Sequence, residues 1–287
     1  MSTQMPSAMD HTMNTNKEVV AILGCGTLGS IIAKGLQVPG GEQPYDIIAT
    51  HHSAERAEEL SKALGVPCVV DNRQACENAT IVILAVRPQA MADLLKEVSP
   101  SLKPGTLCIS IAAALPLKFY EELLPDDVPI IRAHPSPMME VRRGFIALAA
   151  GTKAEPIHIE KAKRLFSVLC EDTLLSPESD IDLFASVFGS SSALLYLFVD
   201  ALVSVEECKG EHGFSPLRVV AGMLDGAAQM LVKTNRSPRM LSEEICTPGG
   251  VTITGVKAWE ENKVSQLVTV SMETILLRVK NMSRGAR

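Results

Sequence analysis

The sequence predicts an α/β protein in which a mostly parallel sheet, with helices on its faces, is followed by an all-helical domain. Short apolar runs alternate with helical patterns through the first part of the chain, and this alternation is typical of parallel strands joined by crossover helices. A glycine-rich turn follows the first of these runs. Beyond Ser176-Pro177 the strand patterns fade, and apolar positions recur at helical spacing instead.

Length and composition support a globular protein of one large or two ordinary domains. The chain has 287 residues, 46% of them hydrophobic, and a formal net charge of −6. Because it carries no basic footprint, we expect no nucleic-acid partner and no membrane partner. We also expect no apolar run to approach the roughly 18–20 residues that cross a bilayer. The seven cysteines are scattered without metal-ligand spacing, which indicates reduced thiols, no metal and a cytoplasmic location.

Individual strands and helices of the first domain follow from apolar runs and the residues that end them. Ser53 is suited to cap a helix that continues through Ala63. Pro88 ends the strand Ile81–Val86. Other predicted helices are Leu28–Leu36, Gln89–Val98 and Leu117–Leu124. The predicted strands are Val19–Leu23, Tyr45–Thr50, Cys68–Val70, Ile81–Val86, Leu107–Ile111, Pro129–Ala133 and Phe145–Ala149.

The second domain is predicted to be entirely helical. Glycines and prolines such as Gly210, Pro216 and Pro238 mark the joints between its helices. We therefore divide the chain into a disordered tail (1–16), a sheet domain (17–176) and a helical domain (177–287). The predicted helices are Ile181–Phe188, Ala193–Lys209, Leu217–Lys233, Arg239–Cys246, Val256–Glu261 and Gln266–Met282.

The stretch Gly24-Cys25-Gly26-Thr27-Leu28-Gly29 lies between a strand and a helix, the context in which a G-x-G-x-x-G pattern indicates a dinucleotide site. Gly24 permits a tight turn, Gly26 lets a pyrophosphate approach the backbone, and Gly29 lets the helix pack closely on the strand. Free N–H groups at the helix start would bind the phosphates. We predict a Rossmann-type dinucleotide-binding domain, with a ligand-free glycine turn as the alternative.

The end of the second strand favours NADP over NAD. A fold that prefers NAD usually places Asp or Glu there to bind the ribose 2′-hydroxyl. Here the strand ends in Thr50-His51-His52-Ser53, and the first carboxylate already lies inside the next helix. With Arg56, these side chains offer donors to a 2′-phosphate, and a pair of exposed loop histidines is the alternative. Adjacent histidines without a third ligand do not suggest a metal site.

Two further segments could reach a ligand. Ala85–Gln89 and Ser110–Ala114 leave neighbouring strands at the carboxyl edge, where open α/β sheets bind ligands, although Pro88 alone would explain the first as a strand end. In the helical domain, Thr247–Gly255 combines two glycines with a helix start and three threonines. This pattern is typical of an anion cradle, and a plain helix–helix turn is equally compatible with it.

Together these motifs resemble the Δ1-pyrroline-5-carboxylate reductase family, the last enzyme of proline synthesis. The similarity covers nearly all of the chain after the tail. Gly24–Gly29, Ala85–Gln89 and Thr247–Thr254 match family segments in order, and the family's S-P-G-G-x-T-I is T-P-G-G-V-T-I here. The resemblance implies NADPH-dependent reduction of 1-pyrroline-5-carboxylate, with NAD possible as cofactor. It also implies a homodimer, possibly assembled into decamers, in which the substrate loop can complete a site with the other subunit.

The resemblance also implies roles for the matching residues. Backbone groups of residues 249–251 would bind the substrate carboxylate, and the catalytic Thr252 hydroxyl would lie at the ring nitrogen. The implied substrate-binding residues are Thr247, Gly249, Gly250, Val251 and Thr252. The implied cofactor-binding residues are Gly24, Cys25, Gly26, Thr27, Leu28 and Gly29 at the pyrophosphate, Thr50 and His51 at the 2′-phosphate, Asn72 at the adenosine ribose, and Ala85, Val86, Arg87, Pro88, Ala112 and Ala113 along the cleft.

Two segments depart from the family pattern. The family's R-x-M-P-N-T-P corresponds to Arg132–Met138, which reads R-A-H-P-S-P-M and lacks the Asn and the Thr. Its G-S-G-P-A-Y corresponds to Gly189–Leu194, which lacks the proline and the tyrosine. The first departure motivates an alternative substrate, a six-membered or sulfur-containing cyclic imino acid. The second motivates a non-catalytic NADP-binding sensor or scaffold. His134 is either a structural histidine or a new polar contact in the substrate pocket.

Overall fold

The computed structural model describes residues 17–38 and 41–285. Within them it forms two compact units. The sheet unit extends to Ala185 and also takes in the residues from Val279 onward, and the helical unit is Ser186–Arg278. The tail predicted for residues 1–16 lies outside the described residues, and the boundary predicted at residue 177 stays a prediction.

One eight-stranded sheet with the order β3-β2-β1-β4-β5-β6-β7-β8 forms the centre of the sheet unit. Its neighbouring strands pair in parallel, except β6 and β7, which are antiparallel. Residues 135–144 between those two strands hold only a 3₁₀ turn, too short a connection for a crossover. The strands are β1 (Glu18–Leu23), β2 (Tyr45–Thr50), β3 (Cys68–Val69), β4 (Ile81–Leu84), β5 (Leu107–Ser110), β6 (Ile130–His134), β7 (Phe145–Ala150) and β8 (Asp172–Leu175).

Helices cover both faces of this sheet. Along β1, Val20 and Ile22 belong to one buried cluster, and Ala21 and Leu23 belong to the other, because successive side chains of a strand point to opposite faces. Such two-sided burial explains why the central strands are continuously apolar. The helices are α1 (Thr27–Gly35), α2 (Ala54–Leu64), α3 (Asn72–Cys76), α4 (Pro88–Val98), α5 (Leu117–Glu121), α6 (Pro156–Phe166) and α7 (Glu178–Leu183).

The structure confirms the predicted fold class, a Rossmann-type, mostly parallel sheet followed by helices. Ser53 caps α2, because its hydroxyl accepts a hydrogen bond from the Arg56 N–H. Sequence patterns missed α3, α6 and β8. The five residues of α3 and the four of β8 are too short for a periodic pattern, and β8 has no buried residue. Helix α6 buries only Ala162, Leu165 and Phe166, too narrow an apolar face to stand out.

The helical unit leaves large apolar side chains in solvent. Its helices α8 to α11 contain no buried residue. Val232 is 80% exposed and Leu197 is 64% exposed. The helices are α8 (Ser191–Val203), α9 (Pro216–Thr234), α10 (Pro238–Ile245), α11 (Thr252–Glu261) and α12 (Val264–Gly285), the last of which continues past the end of the unit.

One helical stretch corrects the expectation that no apolar run reaches membrane-spanning length. Glu178–Val203 is continuous over 26 residues, with a hydropathy of 1.6 in its most apolar window. The π-helical turn Phe184–Gly189 lies almost entirely within the predicted helix Ile181–Phe188. The next helix, α8, begins at Ser191, so the break predicted before Ala193 is wrong. The window is only 6% buried. Length and composition alone are weak evidence for a membrane span, because an apolar surface also marks protein–protein contacts.

Candidate functional site

The carboxyl ends of β1, β4 and β5 form one edge of the sheet. Leu23 pairs with Leu84, and Leu84 pairs with Ser110. The chain order reverses at β1, whose neighbours are β2 and β4, so a crevice opens beyond these strand ends. The glycine turn, Ala85–Pro88 and the segment after Ser110 therefore lie along the same edge, as the sequence predicted.

Each glycine of the turn has a distinct steric reason. Gly24 has φ = +90°, and a Cβ atom there would lie 2.6 Å from Cγ1 of Val86. At Gly29, a Cβ atom would lie 2.9 Å from the Gly24 carbonyl oxygen, so the helix packs directly on the turn. At Gly26, a Cβ atom would meet no protein atom within 4 Å. The space in front of Gly26 is open, as a closely approaching phosphate requires.

The start of α1 is free to bind an anion. This nine-residue helix has Gly26 at its N-cap, no side-chain capping hydrogen bond and no acidic residue in its first turn. The N–H groups of residues 24–26 are hydrogen-bonded within the protein, whereas those of Thr27, Leu28 and Gly29 form no hydrogen bond with the described residues. Uncapped N–H groups and the positive end of the helix dipole attract phosphates. These residues therefore fit a dinucleotide pyrophosphate.

Thr50 and Asn72, which the resemblance implies at the cofactor, have their polar groups engaged inside the protein. The Thr50 hydroxyl accepts from the Gly24 N–H at 3.1 Å and donates to Asn72 Oδ1 at 2.6 Å. Asn72 Nδ2 donates to both carboxylate oxygens of Glu97 at 3.2 Å. Thr50 is also 1% exposed. Its hydroxyl hydrogen is thus committed to Asn72 and is not available to a phosphate.

Donors remain around His51. Its Nδ1 accepts a hydrogen bond from the Ser53 N–H at 3.2 Å, so the neutral ring carries its proton on Nε2. The ring stacks on His52, with centroids 4.4 Å apart. Arg56 forms an exposed ion pair with Glu59, which a phosphate could replace at little cost. The side chains of His51, His52 and Arg56 therefore offer hydrogen-bond donors at the end of β2.

The segments after β4 and β5 differ in how firmly they are fixed. Arg87 is the N-cap of α4; its exposed guanidinium forms no hydrogen bond or ion pair with any described residue. After β5, the Ser110 hydroxyl lies 2.6 Å from the Tyr120 hydroxyl and accepts from the Ala112 N–H at 3.3 Å. Burial raises the pKa of Tyr120 to about 12, so this phenol stays protonated and holds the loop that contains Ala112 and Ala113.

The second candidate segment, at the start of α11, is a tight turn in the helical unit. Gly249 has φ = +75°, and the Gly250 N–H donates to the Thr247 carbonyl at 3.0 Å. The Thr254 hydroxyl donates to the Val251 carbonyl at 2.6 Å. Thr252 is the first residue of α11 and is exposed; its hydroxyl forms no hydrogen bond with the described residues. Of these threonine hydroxyls, Thr252 is free and Thr254 is not.

Known proteins match both parts of the chain. A family model described as NADP oxidoreductase, coenzyme F420-dependent, matches residues 19–114, and the pyrroline-5-carboxylate reductase dimerisation model matches residues 178–282. The pyrroline-5-carboxylate reductases of Corynebacterium melassecola and Pseudomonas aeruginosa are 29% and 28% identical to this chain. These alignments cover 85% and 87% of the chain and 91% of each relative. Over most of its length, the chain is similar to pyrroline-5-carboxylate reductases.

Solved structures of pyrroline-5-carboxylate reductases show the same similarity. The enzyme from Streptococcus pyogenes superposes with a TM-score of 0.84 at 26% identity, covering 93% of this chain and 99% of that one. A pyrroline carboxylate reductase from Plasmodium falciparum, solved with NADP bound, has a TM-score of 0.83 at 20% identity and covers 93% of this chain and 98% of its own. The second comparison shows a shared fold.

The Arg132–Met138 segment begins with a buried ion-pair cluster that the sequence did not reveal. The Arg132 side chain is 3% exposed and donates to Glu178 at 2.8 Å and to Asp182 at 3.1 Å. Glu178 also accepts from the Leu117 N–H at 2.5 Å. An arginine inside an apolar strand pattern signals a buried partner, but nothing in the sequence identifies which carboxylates approach it.

His134 ends β6 beside this cluster. Burial and, to a smaller extent, the Arg132 charge lower its pKa to about 4, and Asp182 partly opposes this shift. The imidazole is therefore neutral near pH 7. Neither ring nitrogen forms a hydrogen bond with a described residue. A half-buried neutral ring in this place supports both interpretations of His134, as a structural residue and as a pocket contact.

Proposed function

We propose that the protein reduces 1-pyrroline-5-carboxylate to L-proline, the last step of proline synthesis, with NADPH as the preferred reductant. One observation carries this proposal: relatives that bear this activity's name match 85% and 87% of the chain in single alignments. The steric fit of the glycine turn to a pyrophosphate supports the cofactor class. A nicotinamide bound there would supply the hydride.

We propose that the sheet unit holds the cofactor through the turn between β1 and α1. Backbone N–H groups at the start of α1 bind the pyrophosphate, and Arg87 and Pro88 line the cleft. The small residues Ala112 and Ala113 let the nicotinamide lie close to the backbone. These roles require position and shape rather than a titrating side chain, because orientation is the main requirement of a direct hydride transfer.

The helical unit is proposed to bind the substrate. Backbone N–H groups of residues 249–251, with the Thr247 hydroxyl, bind the carboxylate, since an uncapped helix start attracts anions. The Gly250 N–H exchanges its bond to the Thr247 carbonyl for one to the substrate. The free Thr252 hydroxyl donates to, or accepts from, the ring nitrogen. A cyclic imine protonated at nitrogen is already a strong electrophile, so a neutral hydroxyl that fixes its orientation is sufficient. No general acid–base pair is needed for this chemistry.

The test is a pair of threonine variants. We expect Thr252→Ala to lower turnover with pyrroline-5-carboxylate by roughly 10–100-fold, the loss of one positioned hydrogen bond. Thr252→Ser should restore most of the rate. The control is Thr254→Ala, whose hydroxyl is already bonded to the Val251 carbonyl; this variant should keep turnover within about threefold. Unchanged turnover in Thr252→Ala would remove Thr252 from the mechanism.

Preference for NADPH over NADH rests on the donors at the end of β2. No carboxylate lies between Thr50 and Ser53, and Arg56 is held only by an exposed ion pair. We expect Arg56→Ala to raise the KM for NADPH about tenfold and to leave the KM for NADH unchanged, since only NADPH carries the 2′-phosphate. Equal effects on both cofactors would contradict this preference.

Another cyclic imino acid is the second candidate substrate. It is favoured by the neutral, unbonded His134 ring and by Ser136, which stand where the family pattern has Met and Asn. Comparison of kcat/KM for five-membered, six-membered and sulfur-containing rings decides between the substrates. Tight NADPH binding without oxidation by any cyclic imine would instead favour the sensor or scaffold.

The assembly is proposed to be a homodimer, possibly a decamer, located in the cytoplasm. Support comes from the exposed apolar side chains of α8 to α11 and from the dimerisation model that matches residues 178–282. Sedimentation of the purified protein measures the size of the assembly. A monomer that persists at high concentration would contradict the proposal.

A further inference from the structure

We infer that Glu97 is a positioning residue for the dinucleotide, acting on the glycine turn through Asn72 and Thr50. The inference rests on the proposed cofactor binding and concerns residues that do not themselves need to touch the cofactor. Its starting point is the unbroken series of hydrogen bonds that links α4, α3, β2 and the turn after β1. We call this series the Glu97 relay.

The relay has no gap. The Gly24 N–H donates to the Thr50 hydroxyl at 3.1 Å, and this hydroxyl donates to Asn72 Oδ1 at 2.6 Å. Asn72 Nδ2 donates to the Glu97 carboxylate, with both oxygens at 3.2 Å. Arg73 adds a second link between the two helices, because its Nε donates to the Glu97 carbonyl at 3.1 Å. The glycine turn is thereby connected to a carboxylate 73 positions later in the chain.

The carboxylate fixes the direction of every hydrogen bond in the relay. A carboxylate only accepts, so Asn72 must present its amide NH₂ to Glu97 and its carbonyl to Thr50. The Thr50 hydroxyl must then donate to that carbonyl, which leaves its lone pairs free for the Gly24 N–H. Bonds aligned in this way polarise one another and strengthen the series.

The direction of these hydrogen bonds affects the glycine turn because Thr50 binds the turn at two points. Besides the hydroxyl contact with Gly24, the Thr50 carbonyl accepts from the Cys25 N–H at 2.7 Å. Gly24 adopts φ = +90°, a conformation that adjacent residues have to maintain. With Gly24 and Cys25 held, the backbone of Gly26 and the start of α1 keep one orientation toward the open space. Preorganised donors of this kind improve affinity because less order is lost on binding.

Among the described residues, the Glu97 carboxylate has no hydrogen-bond or ion-pair partner besides Asn72. Both of its hydrogen bonds are with the Asn72 amide. A half-buried carboxylate that is satisfied only by an amide would be a poor choice for stability alone. Its acceptor-only chemistry is what the relay uses.

The decisive variant is Glu97→Gln. A glutamine amide can donate to Asn72, so Asn72 can reverse and present its NH₂ to Thr50. The Asn72 NH₂ then donates to the Thr50 oxygen beside the Gly24 N–H, and the Thr50 hydroxyl hydrogen loses its acceptor, which weakens the contact with the turn. Asp93→Asn is the matched control, because it removes the same charge one turn earlier on α4 from an exposed side chain without a partner among the described residues.

Two measurements are made on the full-length protein. Hydrogen exchange of the Gly24 and Cys25 amides, without cofactor, should accelerate about tenfold in Glu97→Gln, the value of one ordinary hydrogen bond. The Kd for NADPH should rise about tenfold, with the KM for the imine at saturating NADPH unchanged. In Thr50→Val the further change Glu97→Gln should add nothing to the Kd, since the relay is already cut.

Each outcome decides the inference. Exchange at the turn that does not change in Glu97→Gln would overturn the relay, as would effects that multiply in the double variant. Faster exchange with an unchanged Kd would overturn its role in cofactor binding. A wild-type protein that binds neither NADPH nor NADH would refute the proposed function separately, while the exchange data would still decide whether the relay holds the turn.

Discussion

The two glycine turns of this protein are built differently. In the sheet unit, Gly24 and Gly29 are closed in by Val86 and by the turn's own backbone, and only Gly26 faces open space. In the helical unit, a Cβ atom at Gly249 would meet nothing within 4 Å, and neighbouring Val251 is 88% exposed. The first turn is complete within one chain. The second has its own hydrogen bonds but little around it.

The same contrast holds between the units as wholes. Helices of the sheet unit bury residues against both faces of the sheet, whereas α8 to α11 bury none. Apolar side chains left in solvent stabilise a fold only when another surface covers them. The difference indicates that the sheet unit is stabilised by its own core, whereas the apolar faces of the helical unit remain available to a partner.

The largest expected effect tests the tight packing around Gly24 in the glycine turn of the sheet unit. We expect Gly24→Ala to destabilise the sheet unit by about 4 kcal/mol, since it combines a positive φ with a clash against Val86. Gly26→Ala should leave the unfolding free energy within about 0.5 kcal/mol and weaken NADPH binding about a hundredfold, because its methyl group would occupy the proposed phosphate space. Urea unfolding and cofactor titration measure the two quantities. Equal losses of stability in both variants would contradict the closed-turn description.

The next effect tests whether the sheet unit satisfies its own buried charge. Arg132→Met should cost about 3 kcal/mol, because Glu178 and Asp182 lose a buried partner while partial exposure lets water hydrate them. Arg143→Met is the control. It breaks the exposed ion pair with Glu171, which is expected to matter by less than about 0.5 kcal/mol. Similar unfolding free energies for the two variants would show that the Arg132 cluster is solvated.

This contrast also explains what the sequence could predict. The strands around the glycine turn follow from local signals: apolar runs, a turn pattern and Ser53 at a helix start. The roles of Thr50 and Asn72 do not, since a hydroxyl at a strand end is equally able to face a phosphate or an asparagine. Their inward hydrogen bonds join them to Glu97. The sequence predicts the helix of Glu97 to within one residue, but no local pattern shows which strand end that helix faces.

Long-range partners account for the other misses as well. Arg132 reaches α7 across 46 positions of the chain, and no local pattern encodes such a contact. The continuity of Glu178–Val203 was missed because Gly189 suggests a break, whereas a π-helical turn carries the chain through it. In the helical unit, the helical periodicity was correct but could not show that the apolar faces stay uncovered in one chain.

A smaller effect tests whether the helical unit is covered by a second copy of the chain. If a second copy covers α8 to α11, the unfolding of the helical unit depends on protein concentration. A hundredfold dilution should then lower its stability by about 2.7 kcal/mol of dimer, while the transition of the sheet unit does not move. Calorimetry at about 1 and about 100 μM measures both transitions. A helical transition that does not move on dilution would mean that one chain is sufficient.

The smallest effect is a pH dependence confined to the sheet unit. The pKa of His134 falls from 6.5 to about 4 on folding, so between these pH values the unfolded chain binds more protons than the folded one. Stability is therefore complete well above pH 6.5 and declines as the pH falls toward 4; the loss reaches about 2 kcal/mol at about pH 5. His134→Met should flatten this part of the profile, and His52→Gln, which changes an exposed ring, should not. A profile that stays steep in His134→Met would show that this histidine is not the source of the acid sensitivity.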